Sequence, residues 1–253
     1  MLLGQTPVPA AVNGAFAAIL LSSLTLGQPA TIVSADEVIA RMAESERQQE
    51  KNLQHYRTVR EYRLANGDGS KSVQALASVV YDANGAKTIS VVQESGSEGI
   101  FRRVIRKVLE AEERASRENQ SEMRLSPENY AFKLLGTEVR DGRNCYALQL
   151  VPKRKSKYLL EGKAWVDTKE YAVVRIEGRP AASLGFWVGK PYISQSFQKV
   201  GNIWFMARNE SLTNAKLFGK VVFSMQTTEV KSGGTTVAIN RTPSVRTAKG
   251  GTD

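Results

Sequence analysis

Side chains that could act as a catalytic base are scarce in this sequence, because its 253 residues include a single histidine, His55. A catalytic histidine needs a nucleophile and an orienting group nearby, and the sequence contains no Gly-x-Ser-x-Gly motif or equivalent. His55 follows a helical pattern, where a histidine complements the negative end of the helix dipole. We therefore interpret His55 as a polar residue at a helix end, and we predict no catalytic residue and no enzymatic activity.

The single cysteine, Cys145, lies beside Tyr146 in an alternating strand pattern. A free cysteine in such a position usually behaves as a small buried hydrophobe, so we predict that Cys145 is buried and unreactive. One cysteine cannot form a disulfide within the chain, and a structural zinc site normally needs four cysteine or histidine ligands. The sequence also has no phosphate-binding loop or dinucleotide-binding motif. We therefore expect neither a metal nor a cofactor.

Three carboxylates lie close together in a helical pattern, at Glu110, Glu112 and Glu113. Glycoside hydrolysis would need two carboxylates about 5–10 Å apart across a cleft. These three do not converge on one point of a helix, and their neighbours are basic. We predict that they belong to a solvated helix face.

The first 35 residues carry no charged side chain and include an apolar segment from Ala10 to Leu26. Small residues at Val33-Ser34-Ala35 precede the first charged residue, Asp36, as they do at a signal-peptidase site. We therefore predict a signal peptide over residues 1–35, cleavage after Ala35 and a periplasmic location. An uncleaved inner-membrane anchor is the alternative, although a membrane span needs about 20 mostly apolar residues and polar residues interrupt this segment.

Basic residues outnumber acidic residues by 35 to 25, a net charge of +10, and they form two clusters. The clusters are Arg102, Arg103, Arg106 and Lys107, and Lys153, Arg154, Lys155 and Lys157. Either they form a solvated positive surface, or they contact anionic lipid head groups, which attract each basic side chain by about 1 kcal/mol near a membrane. Tyr158 and Trp165 follow the second cluster and would suit base stacking, but export argues against a nucleic-acid partner.

Two helices are predicted from apolar residues that recur at three- and four-residue steps. The first opens at Ser34, whose spacing to Glu37 is that of a capping box, although cleavage after Ala35 would remove Ser34. This helix has a thin apolar stripe. The second runs from Glu98 to about Asn119. Its apolar residues are Ile100, Phe101, Val104, Ile105, Val108 and Leu109. This apolar face must be buried, so we predict that the second helix packs on a sheet.

The rest of the chain shows strand patterns separated by short turns, which is typical of antiparallel hairpins. About ten strands are predicted, at 56–64, 73–81, 86–94, 130–140, 143–152, 162–166, 171–177, 191–200, 203–212 and 217–231. The dipeptide Asp141-Gly142 indicates a type I′ turn. Residues 232–253 have little apolar content and are predicted to be a disordered tail.

These elements predict a single α+β domain over residues 36–231. The strands are half polar, so one face of the sheet should be wet, while the long helix covers the other face. We predict one strongly curved antiparallel sheet with the helices on its concave side. The apolar run from Leu184 to Val188 is either a buried strand or an apolar rim at the mouth of the concave side.

Three late segments resemble the outer-membrane lipoprotein-sorting superfamily, which includes the periplasmic lipoprotein carrier. They are Gly162-Lys163-Ala164-Trp165-Val166-Asp167, Val173-Val174-Arg175-Ile176-Glu177 and Val200-Gly201-Asn202-Ile203-Trp204. The resemblance covers residues 36–231 and implies an unclosed antiparallel β half-barrel with helices on its apolar concave face. It also implies binding of acyl chains or of a lipid-modified partner. Arg60 interrupts an otherwise apolar strand face, and the motifs do not align it with the arginine that controls the carrier's lid.

We therefore predict an exported carrier or binding protein that holds lipid, or the acyl chains of lipoproteins, in an apolar half-barrel cavity. The expected cavity and lid residues are Ile100, Phe101, Val104, Ile105, Val108, Leu109, Trp165 and Trp204, and the expected head-group contacts are Arg102, Arg103, Arg106 and Lys107. The expected partners are a lipid or lipid-modified protein and an anionic membrane surface, with the protein a monomer. The alternative is an envelope interaction or stress-sensing protein that uses the same fold without cargo transfer.

N-terminal sequencing of the protein from a cell-envelope fraction tests the signal peptide. We expect a mature chain that begins at Asp36, since the charge-free segment ends there after small residues. A full-length chain beginning at Met1 in the membrane fraction would contradict cleavage and favour the anchor.

Overall fold

The computed structural model describes residues 33–52, 56–82, 85–96, 99–185, 188–215, 219–232 and 234–239. Most of the predicted signal peptide, His55, residues 186 and 187 and the part of the predicted tail after residue 239 therefore lie outside the described residues. The expectations for those residues stay predictions.

Three helices occur in the described part of the chain, and the two longer ones match the predicted helices. Helix α1 spans Ala35–Asn52, α2 spans Gly99–Glu118 and α3 spans Gln120–Met123. The backbone N–H of Glu37 donates to the hydroxyl oxygen of Ser34 at 3.1 Å, which confirms the predicted cap of α1. The four-residue α3 has no counterpart in the prediction, because one turn is too short to show a helical period.

Eleven strands occur in the described residues, close to the predicted boundaries. They are β1 (Arg57–Asn66), β2 (Ser72–Tyr81), β3 (Lys87–Ser95), β4 (Tyr130–Arg140), β5 (Arg143–Pro152), β6 (Leu160–Asp167), β7 (Val173–Pro180), β8 (Tyr192–Val200), β9 (Ile203–Ala215), β10 (Gly219–Ser232) and β11 (Thr235–Ala238). Between β4 and β5, Asp141 and Gly142 have φ angles of 48° and 76°. Both values are positive, as the predicted type I′ turn requires.

Strand β11 lies in the segment that the sequence assigns to a disordered tail. It pairs antiparallel with the end of β10, with Val237 opposite Val230. Backbone hydrogen bonds to β10 order this segment although its own apolar content is low. Residues Thr235–Ala238 are therefore ordered, although the sequence assigns them to the disordered tail.

The strand order is β3-β2-β1-β10-β9-β8-β7-β6-β5-β4, and the pairing is antiparallel throughout. Strands β3 and β4 follow each other in the chain but occupy opposite ends of this order, so the sheet is an unclosed half-barrel. The segment that joins them contains α2 and α3 and must run across one face of the sheet. The predicted fold class, an α+β half-barrel with helices on its concave face, is confirmed.

One row of directly opposed residues shows which face carries the helices. It runs from β3 to β4 through Glu94, Ala75, Tyr62, Met225, Asn209, Gln195, Ile176, Ala164, Leu148 and Leu134. Opposed residues of antiparallel strands point to the same face, which we call the inner face. Helix α2 packs on Tyr62 and Ala75, and α1 packs on Leu148. Both helices therefore cover the inner face, one at each end.

A close approach between β6 and β7 depends on two opposed glycines, Gly162 and Gly178. A Cβ atom at Gly162 would collide with the carbonyl oxygen of Glu177 and would lie 2.6 Å from the Cα of Gly178. A Cβ atom at Gly178 would collide with the carbonyl oxygen of Glu161. Side chains at these positions would therefore push the two strands apart.

Gly162→Ala should lower the free energy of unfolding by about 3 kcal/mol or more, the upper end for overpacked cores, because backbone rather than side-chain atoms would have to move. Gly99→Ala is the matched control, since no atom lies within 4 Å of a Cβ placed there. Thermal unfolding followed by circular dichroism measures both variants. An unchanged melting temperature for Gly162→Ala would show that β6 and β7 can separate without cost.

Candidate functional site

Helix α2 covers the inner face of β1, β2 and β10 with a short apolar contact. Ile105 and Leu109 are buried in this contact, which confirms their predicted orientation toward the sheet. Their buried partners are Tyr62, Leu64, Val73, Ala75, Ala77, Val221 and Met225.

The other predicted lid residues of α2 have different positions. Val104 is 38% exposed, which corrects its predicted place on the inner face. Side chains of adjacent helix residues point about 100° apart. Because the side chain of Ile105 points toward the sheet, the side chain of Val104 points away from it. Val108 is half-buried. The side chains of Ile100 and Phe101 lie outside the described residues, so their role stays a prediction.

Helix α1 covers the other end of the inner face. Val38, Ile39 and Met42 are buried against Leu148 of β5 and Val166 of β6. Three apolar residues on one side of an 18-residue helix form a narrow contact, as the thin stripe in the sequence predicts. Helix α1 also contacts β9, so it reaches the middle of the strand order.

One strand in the middle of the strand order, β8, has little burial. Strand β8, which the structure describes throughout, has no buried residue. We define the central strip as the half-buried inner-face residues of β8 and β9, namely Ile193, Gln195, Phe197, Asn209 and Ser211. The strip mixes apolar and polar side chains, which corrects the prediction of a wholly apolar cavity. It is the part of the inner face that a ligand could reach most directly.

A buried charge cluster joins α2 to the sheet. Arg60 of β1 has 1% of its side chain exposed and donates to Oε1 of Glu112 at 2.7 Å. Lys87 of β3 donates to the same oxygen at 2.7 Å, and the Tyr62 hydroxyl donates to Oε2 of Glu112 at 3.2 Å. Arg60 also donates to the hydroxyl oxygen of Tyr81 and lies 5.7 Å from the centre of that ring. Glu112 thus ties α2 to β1 and β3, and Arg60 extends the cluster to β2.

The ion pairs of this cluster persist at neutral pH. Burial would raise the pKa of Glu112, but Lys87 and Arg60 together outweigh burial and lower this pKa to about 2. Burial lowers the pKa of Arg60, whereas Tyr81 and Glu112 raise it, and the net change is upward. A buried ion pair is costly to break by removing one partner, because the other charge is left unpaired.

The position of Glu112 corrects the prediction that Glu110, Glu112 and Glu113 share a solvated helix face. Only 23% of the Glu112 side chain is exposed, whereas Glu110 is exposed. Glu112 lies seven residues after Ile105, a spacing that keeps two residues on one helix face. This spacing is visible in the sequence, and so is the intrusion of Arg60 on an apolar strand face. Together they are the signal from which the pair could have been predicted.

The first basic cluster is divided between ion pairs and solvent. Arg106 makes two hydrogen bonds to the carboxylate of Glu94 on β3, at 2.9 and 2.8 Å, and Arg102 lies 3.7 Å from the same carboxylate. Arg103 and Lys107 are exposed. Arg102 and Arg106 therefore fasten the first half of α2 to the edge of the sheet, and the predicted head-group contact suits the two exposed side chains better.

Trp165 and Trp204 lie in a cluster on the outer face rather than in the predicted cavity. Trp165 follows Ala164 of the inner row, so strand alternation directs its ring to the other face. Its indole N–H donates to Glu138 at 2.9 Å, and Arg140 stacks on its ring at 4.5 Å, which leaves Trp165 only 4% exposed. Trp204 packs against the same cluster. Both tryptophans therefore stabilise the outer side of the sheet.

Cys145 belongs to this outer cluster and is fully buried, as predicted. Burial is the main cause that raises the pKa of its thiol to about 11, and the carboxylate of Asp167 adds to the effect. A raised pKa disfavours the thiolate, which is the reactive form of cysteine. The contacts of Cys145 are thus those of a packing residue.

The apolar run near residue 186 is outside any strand where the structure describes it. Leu184 is 43% exposed and Val188 is 38% exposed. The described residues of this run therefore do not form the buried strand that the sequence allowed as one of two interpretations. An exposed apolar loop is the form that the second interpretation, a rim, requires.

The described residues contain neither a metal site nor a membrane-spanning helix. Among them, no group of three or more histidine, cysteine, aspartate or glutamate side chains is placed to hold a metal ion. In the same part of the chain, no helix is long and apolar enough to cross a membrane.

The fold and the site define an α+β half-barrel whose concave face carries a helix fastened by buried charges. The sequence matches no protein-family model and no curated protein sequence. The solved structures that it resembles include the LolA superfamily protein NE2245 from Nitrosomonas europaea. That structure is 12% identical with a TM-score of 0.42, and the match covers 79% of this chain and 93% of that one.

Two further structures show a similar likeness. An outer membrane lipoprotein-sorting protein domain from Vibrio parahaemolyticus is 12% identical with a TM-score of 0.38, and the match covers 75% of this chain and 90% of that one. A DUF1329 family protein from Desulfovibrio piger is 15% identical with a TM-score of 0.36, and the match covers 78% and 93% of the two chains. The superfamily name suggested by the sequence motifs recurs among these structures.

Replacing Glu112 by glutamine should lower the free energy of unfolding by about 3–5 kcal/mol at neutral pH, because Arg60 would be buried without a carboxylate. The pKa of Glu112 is lowered from 4.5 to about 2 in the folded protein. The wild type therefore keeps this stabilisation above about pH 5 and loses it progressively as the pH falls toward about 2. Glu112→Gln should lack this part of the pH dependence.

Urea unfolding at neutral pH and at steps through the acidic range measures both effects. Glu110→Gln is the matched control, since it changes an exposed carboxylate on the same helix. Equal losses of stability in the two variants would contradict a special role for Glu112. An acid transition in Glu112→Gln as steep as that of the wild type would contradict the assigned pKa.

Proposed function

We propose that this chain is an exported binding protein, without enzymatic activity, that holds a lipid or the acyl chains of a lipid-modified protein on the inner face of its half-barrel. The observation that carries the proposal is the central strip, in which the apolar side chains of Ile193 and Phe197 are only half-buried. Leaving apolar surface in water costs about 25 cal/mol per Å². An acyl chain that covers Ile193 and Phe197 would therefore be stabilised there.

Helix α2 suits the role of a lid because much of its attachment to the sheet is polar. Ile105 and Leu109 supply its described buried apolar contact, whereas Glu112 and Arg106 make charged contacts with the strands. Outward movement of α2 would expose the apolar contact around Ile105 and Leu109 and would return the separated charges to water. Burial of acyl chain, at about 0.8 kcal/mol per CH₂, can offset that cost.

The proposed location is the periplasm, after removal of residues 1–35, and the proposed state is a monomer. The exposed side chains of Arg103 and Lys107 support a contact between α2 and anionic head groups. Each such side chain contributes about 1 kcal/mol near a charged membrane. The head group would stay outside while the acyl chain enters the central strip.

Native mass spectrometry of protein purified from an envelope fraction tests the proposal by detecting acyl lipid that co-purifies. Delipidated protein should also bind a fluorescent palmitoyl probe at micromolar concentration. Binding should weaken with added salt only for probes with anionic head groups, because exposed charges are screened within about 8 Å at physiological ionic strength. A probe that fails to bind folded, delipidated protein at any salt concentration would remove the carrier function.

The lid role predicts a faster uptake of the probe when α2 is loosened. Glu94→Gln removes the carboxylate shared by Arg102 and Arg106, and exposed ion pairs contribute up to about 1 kcal/mol, so uptake should become up to about fivefold faster. Stopped-flow fluorescence measures the rate, with Glu110→Gln as the control on the same helix. Identical uptake rates in the wild type and Glu94→Gln would show that the first half of α2 does not limit entry.

Protein interaction without cargo transfer is the second candidate function, and one edge of the sheet favours it. Among the described strands, β3 pairs with β2 alone. Its run from Thr88 to Gln93 contains no charge, proline or glycine, although natural proteins usually protect sheet edges with such features. An extended segment of a partner could add to this edge as a further strand. Folded, lipid-free protein that binds no acyl probe would favour this function.

A further inference from the structure

Two links between strands meet at one end of the sheet. The β5–β6 link spans residues 153–159, and the β7–β8 link spans residues 181–191. The backbone N–H of Ala182 in the second link donates to the carbonyl oxygen of Ser156 in the first at 3.1 Å. The second basic cluster of the sequence therefore lies beside the apolar run that follows β7.

The β7–β8 link exposes apolar side chains to solvent. Leu184 and Val188 are both exposed, and the hydroxyl of Thr213 on β9 donates to the carbonyl oxygen of Val188 at 2.7 Å. The adjacent Leu212 is also exposed, and it lies directly opposite the exposed Tyr192 of β8. We call these four apolar residues the end patch. Exposed apolar patches with polar surroundings mark surfaces that bind a protein or a membrane.

The charges beside the end patch are all positive within the two links. The exposed basic residues are Lys153, Arg154, Lys155, Lys157 and Lys190, and the two links contain no aspartate or glutamate. Within the described part of the chain, no carboxylate forms an ion pair with Lys155, Lys157 or Lys190. These lysines differ in this respect from Arg102 and Arg106, which share Glu94. Their charges are therefore available to an anionic partner.

The opposite end of the sheet has no comparable positive charge. Every second link of an antiparallel sheet lies at the same end, so the β2–β3, β4–β5 and β6–β7 links lie together at the other end. They contain Asp82, Asp141 and Glu170 against the single basic residue Lys169. A negatively charged surface would consequently attract the end patch and repel the opposite end.

We propose that the two links attach the protein reversibly to an anionic lipid bilayer. Leu184 and Val188 enter the boundary between head groups and acyl chains, while Lys155 and Lys157 contact lipid phosphates. Apolar burial combined with attraction to anionic lipids is how peripheral proteins bind membranes. A bilayer is favoured over an acidic protein because one layer supplies both the apolar and the anionic complement.

This inference goes beyond the proposed function, because it concerns the bilayer surface rather than a single acyl chain on the inner face. Helix α2 begins at the same end of the sheet, since Gly99 follows closely after the last residue of β3. Attachment through the end patch would therefore bring the start of the proposed lid near the bilayer.

Sedimentation with vesicles tests the proposal on protein purified from the envelope fraction. One set of vesicles is phosphatidylcholine alone, and the other contains phosphatidylcholine and phosphatidylglycerol in equal parts. The wild type should bind the mixed vesicles at least about tenfold more tightly, because several basic side chains each contribute near a charged surface. Added salt should weaken this binding.

Two variants separate the charged contribution from the apolar one. Replacing Lys155 and Lys157 together by glutamine should weaken binding to the mixed vesicles about 25-fold, at about fivefold for each side chain. Leu184→Gln should weaken it about tenfold, because the apolar contact with the bilayer is lost.

Matched controls lie at the opposite end of the sheet. Lys169→Gln removes an exposed positive charge there. Val139→Gln changes an apolar residue that is more exposed than Leu184 and lies next to the β4–β5 turn. Both control variants should bind the mixed vesicles like the wild type.

Equal binding of the wild type to the two kinds of vesicle would overturn this inference. So would unchanged binding of the Lys155 and Lys157 double variant, which would leave its charges to an acidic protein partner. The palmitoyl probe without vesicles should bind all variants equally. Loss of vesicle binding with the probe still bound therefore concerns the end patch alone, whereas loss of the probe in the wild type concerns the proposed function.

Discussion

Arg60 places a positive charge on the inner face of β1, where almost none of its side chain meets solvent. Such a charge is tolerated when an ionised partner and further hydrogen bonds accompany it. Helix α2 supplies the partner as Glu112, while Lys87 and Tyr81 complete the cluster from β3 and β2. The position of α2 over one end of the sheet follows from this requirement, because a displaced helix would leave the guanidinium without its carboxylate.

The unclosed topology explains why the rest of the inner face is not covered in the same way. The chain leaves the sheet at β3 and returns at β4, which lie at opposite ends of the strand order. Helix α2 is held near the first end by Glu112 and Glu94, and α1 occupies the other end through Val38 and Met42. Strand β8 has half-buried or exposed rather than buried side chains, whereas β7 and β9 on either side of it contain buried residues.

The outer face gives the sheet a source of stability that does not involve the helices. Trp165, Cys145 and Val174 are buried there, and Arg140 covers the tryptophan ring. Since this cluster is independent of α2, movement of the helix would leave one side of the sheet packed.

The sequence by itself determined the elements of this protein, because helical and strand periods and turns such as Asp141-Gly142 are local properties. It thereby determined an antiparallel sheet covered by helices, the burial of Cys145 and the apolar face around Ile105, whereas the half-barrel was implied by the resemblance of three late segments to a known superfamily. Only the tertiary structure decided which face of the sheet each side chain occupies. A shift of one residue in the pairing register of a strand moves all its side chains to the opposite face. Trp165 is consequently on the outer face. The role of Glu112 also depended on long-range pairing, because its partner Arg60 lies 52 residues away in the sequence. A buried charge stabilises or destabilises the protein according to the partner that the fold places beside it.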